Sequence, residues 1–140
     1  MNKPAFKLAL LLICILIQAV PIALAQNTDL TGTWTSTYQF GQIEEVMTAS
    51  IQHSGDNLLG SFTVKTSSGD EYSGVIFGRV DGDRVAANYL SVRDLGDADP
   101  LVVIILIDSQ IVDQDTLRGT YCVQDSEMNA ISGPFEAIRT

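Results

Sequence analysis

The sequence predicts an all-β domain, an eight-stranded antiparallel up-and-down (meander) barrel, behind an N-terminal export leader. Three observations predict it. Ser, Thr, Val, Ile, Tyr and Phe alternate with period two after residue 26, with no helical pattern. The alternating runs are separated by short links of Gly, Asp, Asn and Ser. A glycine followed two residues later by an aromatic recurs along the chain.

The leader comes first. Lys3 and Lys7 make a basic start, Leu8 to Ile17 is an unbroken apolar run, and Ala23-Leu24-Ala25 supplies small residues for cleavage before Gln26. The alternative is a retained membrane anchor, for which the run is short, since a span needs about 20 apolar residues. The expected division is therefore 1–25 as signal peptide and 26–140 as one β-barrel domain. The expected location is extracytoplasmic, either secreted or periplasmic.

Eight strands are expected at about 31–40, 45–53, 58–66, 71–80, 84–93, 101–112, 116–124 and 130–139. The links Ser54-Gly55-Asp56-Asn57, Ser67-Ser68-Gly69-Asp70, Asp81-Gly82-Asp83 and Asp113-Gln114-Asp115 are too short for parallel crossovers. They force neighbouring strands to pair antiparallel. Leu95 to Pro100 is a longer acidic loop. An open two-sheet sandwich is the rival fold. Closure into a barrel is preferred because it removes free strand edges.

Gly60-x-Phe62, Gly119-x-Tyr121 and Gly133-x-Phe135 repeat one design, with Ala87-x-Tyr89 and Gly74-x-Ile76 as weaker copies. Glycine weakens a strand, so its repetition marks places where the sheet coils tightly and an aromatic fills the space beside it. Trp34, Tyr38, Phe40, Phe62, Tyr72, Tyr89, Tyr121 and Phe135 are the expected barrel filling. Of these, Tyr38, Phe62, Tyr72, Tyr89, Tyr121 and Phe135 are the candidates to line a ligand pocket if the barrel is hollow.

The first expected strand opens Leu30-Thr31-Gly32-Thr33-Trp34, and the chain ends Gly133-Pro134-Phe135-Glu136-Ala137-Ile138-Arg139-Thr140. This resembles the calycin group of small barrels, the lipocalins, avidins and their secreted relatives. The resemblance implies a Gly-x-Trp that packs at one end of the barrel and a basic residue of the last strand that crosses the indole. Gly32, Trp34 and Arg139 are the matching positions. It further implies the binding of a small apolar ligand. In a closed meander the first and last strands are neighbours, and a guanidinium on an indole face contributes about 0.5–2 kcal/mol.

Charge and composition narrow the function. The whole chain has a formal net charge of −9, and loss of Lys3 and Lys7 makes the domain more acidic still. Such a surface repels phosphate backbones and anionic lipid, so neither nucleic acid nor, after cleavage, membrane is an expected partner. Cys14 leaves with the leader, and Cys122 has no intramolecular partner. It is either a buried thiol or the site of an intermolecular bond.

His53 is the only histidine and sits at a strand end, where a turn-edge role is expected. No partnered nucleophile is visible. Asp81/Asp83, Asp94/Asp97/Asp99 and Asp113/Asp115 are expected to be solvated turns, since none fits a calcium loop. No catalytic residue, metal or cofactor is expected.

The run Leu101-Val102-Val103-Ile104-Ile105-Leu106-Ile107 breaks the alternation and is apolar on both faces. With Val103, Ile105 and Ile107 inward, Val102, Ile104 and Leu106 face out, and Cys122 shares that surface. Self-association, another partner, or cover by residues 26–30 or 94–100 would each account for it. The leading expectation is an exported noncatalytic barrel that binds a small apolar ligand or a protein partner. The alternatives are an oligomerising module that uses the outer face of strand 101–107, and an isomerase or cyclase with a polar cluster inside the barrel.

Overall fold

The structure is a computed structural model, and it describes residues 28–40, 42–93, 99–125 and 130–140. The expected leader, residues 1–25, lies outside the described residues. So do Asp94 and Asp97. The described chain is all β, with eight strands and no helix. These are β1 (Gly32–Phe40), β2 (Ile43–Ser54), β3 (Asn57–Thr66), β4 (Glu71–Asp81), β5 (Arg84–Arg93), β6 (Leu101–Asp113), β7 (Thr116–Asp125) and β8 (Ala130–Arg139).

Each strand pairs antiparallel with the next, and β8 returns to β1, so the sheet is a closed meander barrel. The alternation expected from sequence sets the two faces. Inward positions hold Met47, Ala49 and Ile51 of β2, Phe62 and Val64 of β3, Ile76 of β4, Val85, Ala87 and Tyr89 of β5, and Val103, Ile105 and Ile107 of β6. The outer face carries exposed ion pairs such as Arg84–Asp108 at 3.0 Å and Lys65–Glu71 at 3.7 Å, which contribute little to stability.

Two hairpins show why the links are tight. Ser54 pairs with Asn57 around Gly55, and Asp81 pairs with Arg84 around Gly82. Both glycines have positive φ, 59° and 61°, which other residues adopt only at a cost.

The first and last strands meet over a short seam. Only Trp34↔Arg139 and Thr35↔Ile138 are in register there, whereas β5 and β6 pair from Arg84↔Gln110 to Arg93↔Leu101. Towards the other end of the seam, side chains replace the ladder. The Ser36 hydroxyl donates to the Glu136 carbonyl at 2.6 Å, and the Tyr121 hydroxyl donates to the Gln39 carbonyl at 3.3 Å. Pro134 sits on the stretch of β8 without a β1 register partner, where a missing N–H is tolerated.

The end of the barrel at the start of β1 is sealed. Leu30 is fully buried there, and Trp34 Nε1 donates to its carbonyl at 2.9 Å. Arg139 closes the same end. Its guanidinium donates to the carbonyls of Thr31 (2.6 Å), Asp29 (2.7 Å) and Gln114 (2.9 Å), and pairs with Asp115 at 3.1 Å. The guanidinium carbon lies 4.6 Å from the centroid of the Trp34 ring. Gly32, at φ 146°, lets this guanidinium pass: a Cβ there would stand 3.2 Å from Arg139 Nη1.

Candidate functional site

Among the described residues, the interior is packed from the sealed end upward and is open at the opposite end, the mouth. Phe62, Tyr89, Tyr121 and Phe135 are buried core, with Phe62 and Tyr89 ring centroids 5.3 Å apart. Beneath the mouth, the space between Tyr38, Met47, Ile107, Tyr121 and Phe135 amounts to about 10 Å³, room for one water molecule at most. Above it lies a recess of about 680 Å³. Tyr38, Glu45, Tyr72, Arg93, Val103 and Ile105 are among the residues that line it.

Of the six aromatics proposed to line a pocket, Tyr38 and Tyr72 stand at this recess, and the other four fill the core. Phe40, also expected inside, has a side chain outside the described residues.

The strands bring the polar members together by simple parity. Glu45 continues the inward series of Met47, Ala49 and Ile51 at the start of β2, and is only 6 % exposed. Arg93 continues the inward series of Tyr89 and Ser91 at the end of β5. The Tyr72 hydroxyl donates to Glu45 Oε2 at 2.8 Å. Arg93 lies over the Tyr72 ring, its guanidinium carbon 3.6 Å from the centroid. This packs the cation against the ring that carries the Glu45 hydrogen bond.

Burial dominates the acidity of these phenols. It pushes Tyr72 up to about 12, with the Glu45 carboxylate adding to the rise while the Tyr38 hydroxyl and Arg93 oppose it. Burial raises Tyr38 further, helped by Tyr72 and Glu45. Both hydroxyls therefore stay protonated near neutral pH. The Tyr38 hydroxyl is close enough to feel Tyr72 and Glu45, yet it makes no hydrogen bond of regular geometry among the described residues. The same holds for Arg93 Nε, which is shielded from solvent. A buried donor without a partner costs about 1–3 kcal/mol.

Glu45 and Arg93 were not foreseen from sequence. Their signal was present: each is a charged residue on the inward parity of an otherwise apolar or small strand face. The polar cluster that an isomerase or cyclase reading requires is thus at the mouth. The other titratable candidate is not part of it. His53 sits at the sealed end, where its Nδ1 accepts the Leu30 N–H at 3.2 Å and its backbone N–H donates to Thr31 Oγ1 at 3.1 Å. That ties the chain before β1 across the barrel base. Among the described residues no three His, Cys, Asp or Glu side chains gather around a common point as metal ligands would.

On the outer surface, β6 presents Ile104 and Leu106, 38 % and 43 % exposed, beside a half-buried Val102. The register extends this band across neighbouring strands. Ile104 pairs with Leu90, which pairs with Val75, and Leu106 pairs with Cys122. Val92 beside Val102 and Phe77 beside Leu59 widen it. Cys122 is half-buried with a free thiol.

No protein-family model, curated protein or solved structure matches this chain. The closed eight-stranded meander is compatible with a calycin-like fold on its architecture alone.

Proposed function

We propose that this is an exported, noncatalytic barrel of calycin type, secreted or periplasmic, that holds a small amphipathic molecule at its mouth. One observation carries the reading: a recess of about 680 Å³ at the mouth whose wall combines the apolar Val103 and Ile105 with the polar side chains of Glu45, Tyr72 and Arg93. A few polar atoms over an apolar wall is the usual make-up of a small-molecule site. The recess volume falls in the range of such sites, about 300–1,000 Å³. The noncatalytic part is supported by the phenols, whose raised pKa values suit them to hydrogen bonding and not to proton transfer near neutrality. Export is supported by the basic, then apolar, then small-residue order of residues 3–25.

Native mass spectrometry of protein purified from its own source tests this. The expected result is a copurifying small molecule that Leu101→Trp, which fills the mouth, excludes. Bare protein in the wild type, or an equal load in the variant, would overturn the reading.

A second reading is self-association through the outer face of β6. It is favoured by the unbroken register of apolar residues from Val75 through Leu90 to Ile104, since soluble monomers seldom expose such bands. The two readings use opposite faces of the sheet and can both hold.

A further inference from the structure

From the strand register of the closed sheet, and resting on the small-molecule reading above for its purpose, we infer that the mouth widens by the parting of two four-stranded leaves, β1–β4 and β5–β8, along two opposite seams.

The seams are defined by where strand pairing stops. Six neighbouring strand pairs keep register up to the mouth, among them Phe40↔Ile43, Lys65↔Glu71 and Arg93↔Leu101. Two do not. β4 and β5 stop at Val75↔Leu90, so residues 71–74 and 91–93 have no register partner across that seam. β8 and β1 stop at Thr35↔Ile138, so residues 36–40 and 130–137 have none across theirs. Four strands separate the two seams on either side, which places them opposite each other in the barrel.

Side chains bridge both seams, and in the same way. An inward serine donates to a backbone carbonyl on the facing strand: Ser91 to Ser73 at 2.8 Å, and Ser36 to Glu136 at 2.6 Å. One ring contact also crosses each seam, Arg93 on Tyr72 in the first and Tyr38 against Tyr121 in the second. The last strand of each leaf has a glycine under an aromatic ring. A Cβ on Gly74 of β4 would stand 2.7 Å from the Phe62 ring, and one on Gly133 of β8 would stand 2.8 Å from the Tyr121 hydroxyl oxygen. A stretch held by a few side-chain contacts opens at lower cost than one held by a continuous ladder. At the sealed base both seams are laddered. β4 and β5 pair down to Asp81↔Arg84, and the Thr140 N–H donates to the Thr33 carbonyl at 2.9 Å beside the Arg139 clamp. The base is therefore the hinge and the mouth the end that moves.

Both leaves wall the recess. Tyr38, Glu45 and Tyr72 belong to one, and Arg93, Val103 and Ile105 to the other. The narrow space beneath is divided in the same way, with Tyr38 and Met47 on one leaf and Ile107, Tyr121 and Phe135 on the other. Parting widens the recess and joins it to that space, which gives an apolar body a path towards the core. The Glu45–Tyr72 hydrogen bond lies within one leaf, so the motion leaves it intact.

Relaxation-dispersion NMR of the ligand-free wild-type barrel tests the motion. The amides of Thr37 and Ser132 report on one seam and those of Ser73 and Val92 on the other. Thr48 and Thr63, paired in the continuous β2–β3 ladder, are the control. Both seams are expected to show microsecond-to-millisecond exchange with one shared rate and population, while the control stays quiet. Ser91→Ala removes the bridge of the β4–β5 seam. It is expected to raise the open population roughly three- to tenfold, at Thr37 and Ser132 as much as at Ser73 and Val92. Ser36→Ala makes the reciprocal comparison should that variant not fold. Quiet seams, different rates at the two seams, or an effect of Ser91→Ala confined to its own seam would each overturn the leaf motion. The copurification experiment reads the ligand independently, so the motion and the small-molecule reading fail separately.

Discussion

Gly133 of β8 faces Tyr121 of β7, and the missing side chain of the one makes room for the ring of the other. A Cβ on Gly133 would lie 2.8 Å from the Tyr121 hydroxyl oxygen and 3.0 Å from its ring. Tyr121 crosses β8 at this point and donates to the Gln39 carbonyl of β1. It thereby spans the part of the seam where β1 and β8 have no register pair. Its ring also packs against Tyr38, centroids 5.6 Å apart, so the seam and the mouth share a wall.

This relationship sets the first prediction. Gly133→Ala should destabilise the barrel by about 1–3 kcal/mol, since the added methyl must displace a packed ring. Tyr121→Phe should cost less, about 1 kcal/mol, because it removes one hydrogen bond and keeps the ring. Urea unfolding measures both. Gly55→Asn is the control: Gly55 is exposed, a Cβ there would meet nothing, and asparagine tolerates its positive φ. It should leave stability nearly unchanged.

Arg139 ties together the two ends of the chain at the sealed base. Its side chain is 24 % exposed and satisfies the carbonyls of Asp29, Thr31 and Gln114. Arg139→Ala should lower stability by about 2–3 kcal/mol, through lost charged hydrogen bonds and the lost contact with Trp34. Trp34 fluorescence should shift to the red as water reaches the indole. An unshifted spectrum with wild-type stability would contradict this.

Alkaline pH should unfold the protein. Tyr72 is raised from 10 to about 12, and Tyr38 and Tyr89 are raised beyond it, burial being the largest cause in each. A group whose folded pKa is raised contributes stability that is present below its unfolded pKa and lost as pH climbs towards the folded value. The contribution of these phenols should therefore be constant up to about pH 10 and be lost from 10 to 12. Phenolate absorbance should rise in step with loss of far-ultraviolet structure. Free ionisation of every tyrosine in an intact fold would overturn the assignment.

The outer band on β6 makes a separate prediction. Ile104→Lys places a charge at the centre of the apolar face without touching the interior. Sedimentation should show a concentration-dependent oligomer in the wild type and a monomer in the variant. Oxidising conditions should favour a Cys122-linked species, because Cys122 pairs with Leu106 on that same face. A wild type that is monomeric at every concentration would remove the self-association reading.

Much of the fold was legible in the chain because alternation and turn chemistry act over short distances. Period-two runs located all eight strands to within a few residues, and links as short as Asp81-Gly82-Asp83 allow only antiparallel neighbours. Inward parity was written just as locally, so Val103, Ile105 and Ile107 could be told from Val102, Ile104 and Leu106 once the strand was drawn.

What the tertiary structure decided depends on which residues meet across strands. The Gly-x-aromatic repeat reads along one strand, but its packing runs between strands: Phe62 lies against Gly74, Tyr121 against Gly133, and Gly119 is paired with Phe135. Register alone creates these pairs, and no single strand contains it. The mouth is the same case. Glu45, Tyr72 and Arg93 come from three strands and are separated by many residues of sequence, so their hydrogen bond and stack exist only after closure. Local pattern dictates which way a side chain points, and the curvature and register of the closed sheet dictate what it finds there.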